Sequence, residues 1–161
     1  MKLLQALLAL FACAFLPLHA ASLDDLTWTT TEGEVTITDC IESAAGELVI
    51  PDTIGGNPVT SIGDDAFRGC SSLTSITIPD DVTSIGAYTF FDCTSLTNII
   101  FQGDAPSVGF KAFVRVANGA VALVTIEALS SFGASGADWN GLTVEPILTW
   151  TTTDGEVTIT D

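Results

Sequence analysis

The chain has 161 residues, with 4 basic against 20 acidic side chains, a net charge of −16 and one histidine. That length suits one ordinary domain rather than two large ones. So acidic a surface repels phosphate backbones and anionic lipid, which excludes nucleic-acid binding as a function class.

Residues 1–20 differ from the rest. Met1-Lys2 is followed by an apolar run from Leu3 to Leu18 and then by His19-Ala20-Ala21. A short basic start, an apolar middle and small residues at a cut site make a secretory signal peptide. The run is too short and wrongly flanked to span a membrane stably, so no membrane insertion is expected after cleavage. A lipoprotein anchor on Cys13 is disfavoured by bulky Phe11 and by the apolar run continuing past Cys13. Cleavage near Ala20 removes Lys2, leaving Arg68, Lys111 and Arg115 against 20 acidic residues, a net charge of −17. It also removes His19, and with it Ser-His-Asp and Cys-His catalysis and every metal site that needs imidazole.

Residues 21–58 read as an N-terminal cap. Leu26–Asp39, LTWTTTEGEVTITD, alternates around Glu32-Gly33. Its Thr, Val, Ile and Trp favour strands, so it is a predicted β-hairpin in which Leu26, Trp28 and Thr30 share one face and Val35 and Ile37 another. Cys40–Gly46 is a loop, Glu47–Ile50 a short strand, and Asp52–Pro58 a turn.

From Val59 to Phe113 the chain repeats every 23 residues. The columns are Ile62, Ile85, Val108; Gly63, Gly86, Gly109; and Phe67, Phe90, Phe113. The first two copies also share Val59/Val82, Cys70/Cys93, Leu73/Leu96 and Ile76/Ile99. A fixed period in the twenties is the mark of a solenoid, in which each coil buries its apolar positions only against its neighbours. The pattern resembles the BspA-type bacterial leucine-rich repeats, with coils of the form I-P-x-x-V-T-x-I-G-x-x-A-F-x-x-C-x-x-L-x-x-I. The resemblance is close in two copies and partial in the third, APSVGFKAF. It implies a mainly β leucine-rich-repeat solenoid capped by a β-hairpin before it, and an exported or surface-bound adhesion-like role; the α/β cap after it is read from the residues themselves.

Within each coil a strand is expected at Leu73–Ile78 and Leu96–Phe101, with Leu73, Ile76 and Ile78 inward and Ser75 and Thr77 outward. A second strand is expected at Val59–Ile62, Val82–Ile85 and Pro106–Val108. Ala66-Phe67 and Thr89-Phe90 read as one tight helical turn, and Gly63, Gly86 and Gly109 as corners where a side chain would crowd the bend. Residues 114–147 break the period and read as the far cap: a strand at Ala120–Ile126, a short helix at Glu127–Phe132, a loop at Gly133–Gly136, then Trp139 with Leu142 and Val144. Residues 148–161, LTWTTTDGEVTITD, repeat Leu26–Asp39 with Asp154 for Glu32. They read as the start of a second tandem unit: either a fragment of a longer tandem protein, the favoured expectation, or a reading frame that ends early.

No enzyme is expected, and no cofactor or metal. Asp138-x-Asn140-Gly141 resembles part of a calcium loop but lacks its ligand spacing and closing Glu. Asp64-Asp65 and Asp80-Asp81 read as solvated corners; among 20 acids, chance carboxylate pairs do not make a glycosidase. Cys70 and Cys93 share a column and are expected as buried thiols rather than a bridge, because side chains stacked in a ladder run parallel. Cys40 is a candidate free or intermolecular thiol. Tyr88 stands at a variable position and is expected on the surface. The candidate ligand-binding face carries Ser75, Thr77, Asn98 and Ile100, for a protein or glycan surface. The resulting expectation is a secreted or cell-surface recognition module, with a structural spacer unit as the alternative. Signal cleavage close to Ala20 is checked by intact mass of the secreted protein; a retained Met1 or a lipid on Cys13 contradicts it.

Overall fold

The computed structural model describes residues 20–153 and 156–160, with side chains described as far as Leu148. The signal peptide expected at residues 1–20 lies, apart from Ala20, outside the described residues. The strands in chain order are β1 (Leu26–Thr31), β2 (Glu34–Cys40), β3 (Ala45–Val49), β4 (Thr53–Ile54), β5 (Asn57–Ile62), β6 (Ser72–Ile78), β7 (Ser84–Ile85), β8 (Asn98–Phe101), β9 (Ser107–Val108) and β10 (Val121–Val124). A four-residue helix α1 (Leu129–Phe132) is followed by β11 (Asp138–Trp139), β12 (Leu142–Pro146), β13 (Thr149–Thr153) and β14 (Glu156–Thr160).

The chain winds as a β-solenoid of about five turns, with very little helix. Each of the first four turns places one strand in each of two sheets, and the last adds β12 to one of them. One sheet runs β1-β2-β5-β7-β9, with β4 beside β5; the other runs β11-β12-β10-β8-β6-β3. Successive coils pair in parallel, as in Ile62↔Ile85↔Val108 and Ile76↔Ile99↔Ala122. The 23-residue offset therefore runs on past Phe113 into β10. The first coil is longer, Leu48 pairing with Ile76, and its extra residues form the β4–β5 hairpin through Gly55-Gly56.

A third ladder joins the coils at the turns between the sheets. The amides of Phe67 and Phe90 donate to the carbonyls of Thr89 and Ala112, one coil ahead, at 2.9 and 2.8 Å. Those of Gly63, Gly86 and Gly109 each donate one coil back, at 2.8 Å. This spacing brings equivalent residues face to face. Phe67, Phe90 and Phe113 stack with ring centroids 5.2 and 5.3 Å apart and planes 12° and 7° from parallel. It also explains the glycine column: a Cβ on Gly86 would lie 2.4 Å from the Asp64 nitrogen, and one on Gly109 2.4 Å from the Ala87 nitrogen.

The caps follow the expectation in kind. The β1–β2 hairpin closes one end, and Ala20 and Ala21 run beside Ala45 at the edge of β3. At the other end Trp139 covers Phe132, Phe101 and Phe113, at 4.8, 5.3 and 5.9 Å between ring centroids. β13–β14 pairs Trp150↔Ile159 and Thr152↔Val157, the same register as Trp28↔Ile37 and Thr30↔Val35.

Two local readings differ from expectation. A register shift between Thr27 and Trp28 splits the face assigned to β1, so Leu26 is buried while Trp28 and Thr30 are exposed. The Ala66-Phe67 and Thr89-Phe90 segments are successive hydrogen-bonded turns, Arg68 to Asp65 then Cys70 to Phe67 in the first copy, rather than a helical turn. A left-handed residue in each, Asp65 at φ 57° and Tyr88 at φ 55°, prevents the helix from propagating.

Phe90 is fully buried between two other rings, so Phe90→Ala removes stacking on both faces and is expected to cost about 3–5 kcal/mol. Asp81 is exposed, and Asp81→Ala is expected to stay within about 0.5 kcal/mol. Denaturant melts of the two variants compare them; similar losses would contradict the stacking role.

Candidate functional site

The sheet β12-β10-β8-β6-β3 carries its inward residues in two columns, Leu48-Ile76-Ile99-Ala122-Val144 and Ile78-Phe101-Val124, all buried. Alternation along each strand turns the intervening residues to the outer face. Register pairing then assembles two outer rows. One is Glu47-Ser75-Asn98-Val121-Thr143; the other is Val49-Thr77-Ile100-Leu123-Glu145.

Thus Ser75, Thr77, Asn98 and Ile100 do come together, Ser75 beside Asn98 and Thr77 beside Ile100. Their exposure is lower than expected. Ser75 is buried at 9%, because a short side chain flanked by Glu47 and Asn98 on adjacent strands is shielded by both. Thr77, Asn98 and Ile100 are half-buried for the same reason, each lying between two strands. Sequence reasoning missed Val49, Val121 and Leu123 in this face. Leu123 was readable as the residue one 23-residue period after Ile100. Val49 was hidden by the longer first coil. Val49, at the sheet edge, is 63% exposed, and Ile100 and Leu123 continue the row inward. The face sets Val49, Ile100, Leu123 and Val121 among the polar Ser75, Thr77, Asn98 and Thr143, with Glu47 and Glu145 at opposite ends.

The Asp138-Asn140-Gly141 segment is the turn of the β11–β12 hairpin. Asn140 and Gly141 both take positive φ, and the Asp138 carboxylate accepts the Gly141 amide at 3.2 Å. Its spacing serves this turn. Among the described residues no group of three or more His, Cys, Asp or Glu is placed to hold a metal ion.

The cysteines form a column of three rather than two. Cys40, Cys70 and Cys93 are all buried free thiols. Cys93 donates to the Phe67 carbonyl at 2.9 Å, while Cys40 and Cys70 both reach the Ile41 carbonyl, at 3.7 and 3.8 Å. Burial corrects the reading of Cys40 as an intermolecular thiol: it is the first member of the ladder, offset by 30 residues because the first coil is longer. Hydrogen bonding to Cys70, then burial, push its thiol up. Tyr88 is half-buried, its ring meeting Phe91 and Phe110 edge to face.

With fold and site in view, the class is a leucine-rich-repeat protein. The chain belongs to the BspA type leucine rich repeat region family, whose six-copy model matches residues 47–133. Among solved structures, a leucine rich cell surface protein from Faecalibacterium prausnitzii A2-165 is 30% identical, with a TM-score of 0.48, over 63% of this chain and 30% of that one. This chain thus spans less than a third of that protein's length. A T. pallidum leucine rich repeat protein is 18% identical, with a TM-score of 0.44, over 79% of this chain and 83% of that one. A search of curated proteins finds no match.

Burial first, then the neighbouring Cys70, push the Cys93 thiol up to about 12. An unfolded cysteine titrates near about 8.5. The stability contributed by keeping this thiol neutral is therefore complete below about pH 8.5 and is lost as pH rises toward about 12, on the order of 1–2 kcal/mol by pH 10. Denaturant midpoints of the reduced protein should fall over that window, and less steeply in Cys93→Ala; a flat profile in the parent would contradict this.

Proposed function

We propose that the protein is an exported or cell-surface recognition module that binds a protein or glycan surface without catalysis, through the outer face of the β12-β10-β8-β6-β3 sheet. The observation that carries this reading is the outer row in which Val49 at the sheet edge and, beyond Thr77, the neighbouring Ile100 and Leu123 stand on parallel strands over which the described residues place no layer. Parallel sheets ordinarily have both faces covered, and exposed apolar surface rimmed by polar residues marks interaction sites. Repeat arrays supply such surfaces as a general scaffold, and the fold alone names no ligand. Export is supported by the basic start, apolar run and Ala20-Ala21 at the N-terminus. Among the described residues no helix is long and apolar enough to cross a membrane.

A spacer role is the second reading. It is favoured by the hairpin sequence that recurs at Leu148–Asp161 and pairs in the register of the first. A spacer extends other domains and needs no specific face.

The two readings part on one experiment. Parent protein, Ile100→Lys and Asp64→Lys are applied separately to immobilised extracellular-matrix proteins and neutral glycans, and retention is measured. Recognition through the sheet predicts retention of the parent and of Asp64→Lys, with at least tenfold loss for Ile100→Lys. Equal retention of all three, or none of the parent, leaves the spacer reading.

A further inference from the structure

The third side of the solenoid, formed by the turns that follow Gly63, Gly86 and Gly109, gathers the cations of a chain otherwise dominated by acid. Once Lys2 is cleaved away the basic residues are Arg68, Lys111 and Arg115, and all three stand on this side. Each lies over an aromatic ring. The Arg68 guanidinium is 5.4 Å from the Phe91 centroid and 6.0 Å from that of Tyr88; Arg115 is 5.6 Å from Phe91, and Lys111 is 5.0 Å from Phe110. Phe110 is 64% exposed, and Val114, four residues further on the same turn, is also exposed.

The repeat supplies an internal control. Columns the fold requires keep their residue, as Gly63/Gly86/Gly109 and Phe67/Phe90/Phe113 do. The columns here change: Asp64, Ala87, Phe110 in one, and Asp65, Tyr88, Lys111 in the next. The first coil folds without an aromatic at either position, so coil geometry does not call for Tyr88 or Phe110. The second column is moreover left-handed throughout, at φ 57°, 55° and 56°. Asp tolerates that conformation; Tyr and Lys are strained in it. A bulky side chain kept in a strained position that a small one fills elsewhere points to a use for that side chain.

We propose that this corner docks an acidic protein segment bearing an apolar side chain, the carboxylates engaging Arg68, Lys111 and Arg115 and the apolar group resting on Phe110 and Val114. Tyr and Arg are enriched at interface hot spots, and Phe in interfaces generally. Arg68 donates from Nη1 to Asp65 at 3.0 Å, and Arg115 Nε is ion-paired with Asp92 at 2.7 Å. Each aspartate thereby holds its guanidinium in place, and the donors on the remaining nitrogens suit a carboxylate fork. A sugar partner fits less well. Phe91 is approached by two guanidiniums, and Tyr88 meets its neighbours at 73° and 86°, so the rings form no flat platform for stacking. A second copy would bring its own net charge of −17, whereas a short segment brings only a few charges, screened beyond about 8 Å at physiological salt.

The test uses the signal-cleaved protein and fluorescein-labelled decapeptides read by anisotropy. The expected result is saturable binding of an alternating Glu/Leu peptide that weakens with salt. Binding should weaken at least tenfold for an alternating Glu/Ser peptide and should not be measurable for Lys/Leu. Arg68→Ala combined with Arg115→Ala should cost at least tenfold, and Phe110→Ser or Lys111→Ala at least threefold. Ile100→Lys should leave the affinity unchanged, so failure of the sheet-face reading is distinguishable from failure of this one. Melting curves confirm that each variant is folded, and Lys111→Ala, an exposed change, stands in if the double variant is not. No saturable binding of the Glu/Leu peptide, unchanged binding by folded Lys111→Ala and Phe110→Ser, or equal or tighter binding of polyglucuronate would overturn the proposal. So would self-association in sedimentation that these substitutions abolish, which would assign the corner to a second copy.

Discussion

The backbone hydrogen-bond ladder between coils is the constraint on which the structure depends. It runs along both sheets and also along the turns, where the amides of Phe67 and Phe90 reach forward and those of Gly86 and Gly109 reach back. Strands so paired lie about 4.8 Å apart. At that separation equivalent side chains must stack on themselves, which suits aromatic rings lying parallel, as in the Phe67-Phe90-Phe113 stack. The same closeness excludes a Cβ at Gly86 and Gly109 in the corner column. Packing, glycine placement and the thiol column all follow from the one spacing.

Much of this was legible in the sequence because stacking forces repetition. The columns of Phe, Gly, Cys and Ile gave the coil length, the inward strands and the buried state of Cys70 and Cys93. Legibility failed where a coil is not of standard length. Cys40 stands 30 residues before Cys70 and Val49 stands 28 before Thr77, so neither fell into the 23-residue register. It failed also for degree of exposure. Alternation states which way Ser75 points, but not that Glu47 and Asn98 on flanking strands shield it. The turn near Tyr88 was unreadable for a third reason. Its left-handed column is occupied by Asp, Tyr and Lys rather than Gly, so no residue type announces the conformation.

The solenoid's sides differ in chemistry. The short sheet presents hydroxyls, Ser61 receiving a hydrogen bond from Ser84 at 2.9 Å and the Thr83 carbonyl receiving one from Ser107 at 3.1 Å. The β12-β10-β8-β6-β3 sheet presents aliphatic residues mixed with Ser, Thr and Asn between acidic ends, and the turn side presents rings and cations. In a repeat protein these differences cost little, since outward columns are free to vary once the inward ones are kept. The coil is thus a fixed frame on which each side is decorated independently.

The unbroken 23-residue offset from β6 through β8 to β10 also makes the chain a ruler. One further coil adds about 4.8 Å of length without touching either cap. Contour grows in equal steps, far shorter per residue than in an extended linker, and it grows stiff because every step is bonded on three sides. Reach and rigidity in such an array are therefore set by counting coils, and an insertion or deletion that respects the step changes how far the protein extends while leaving each surface column in line.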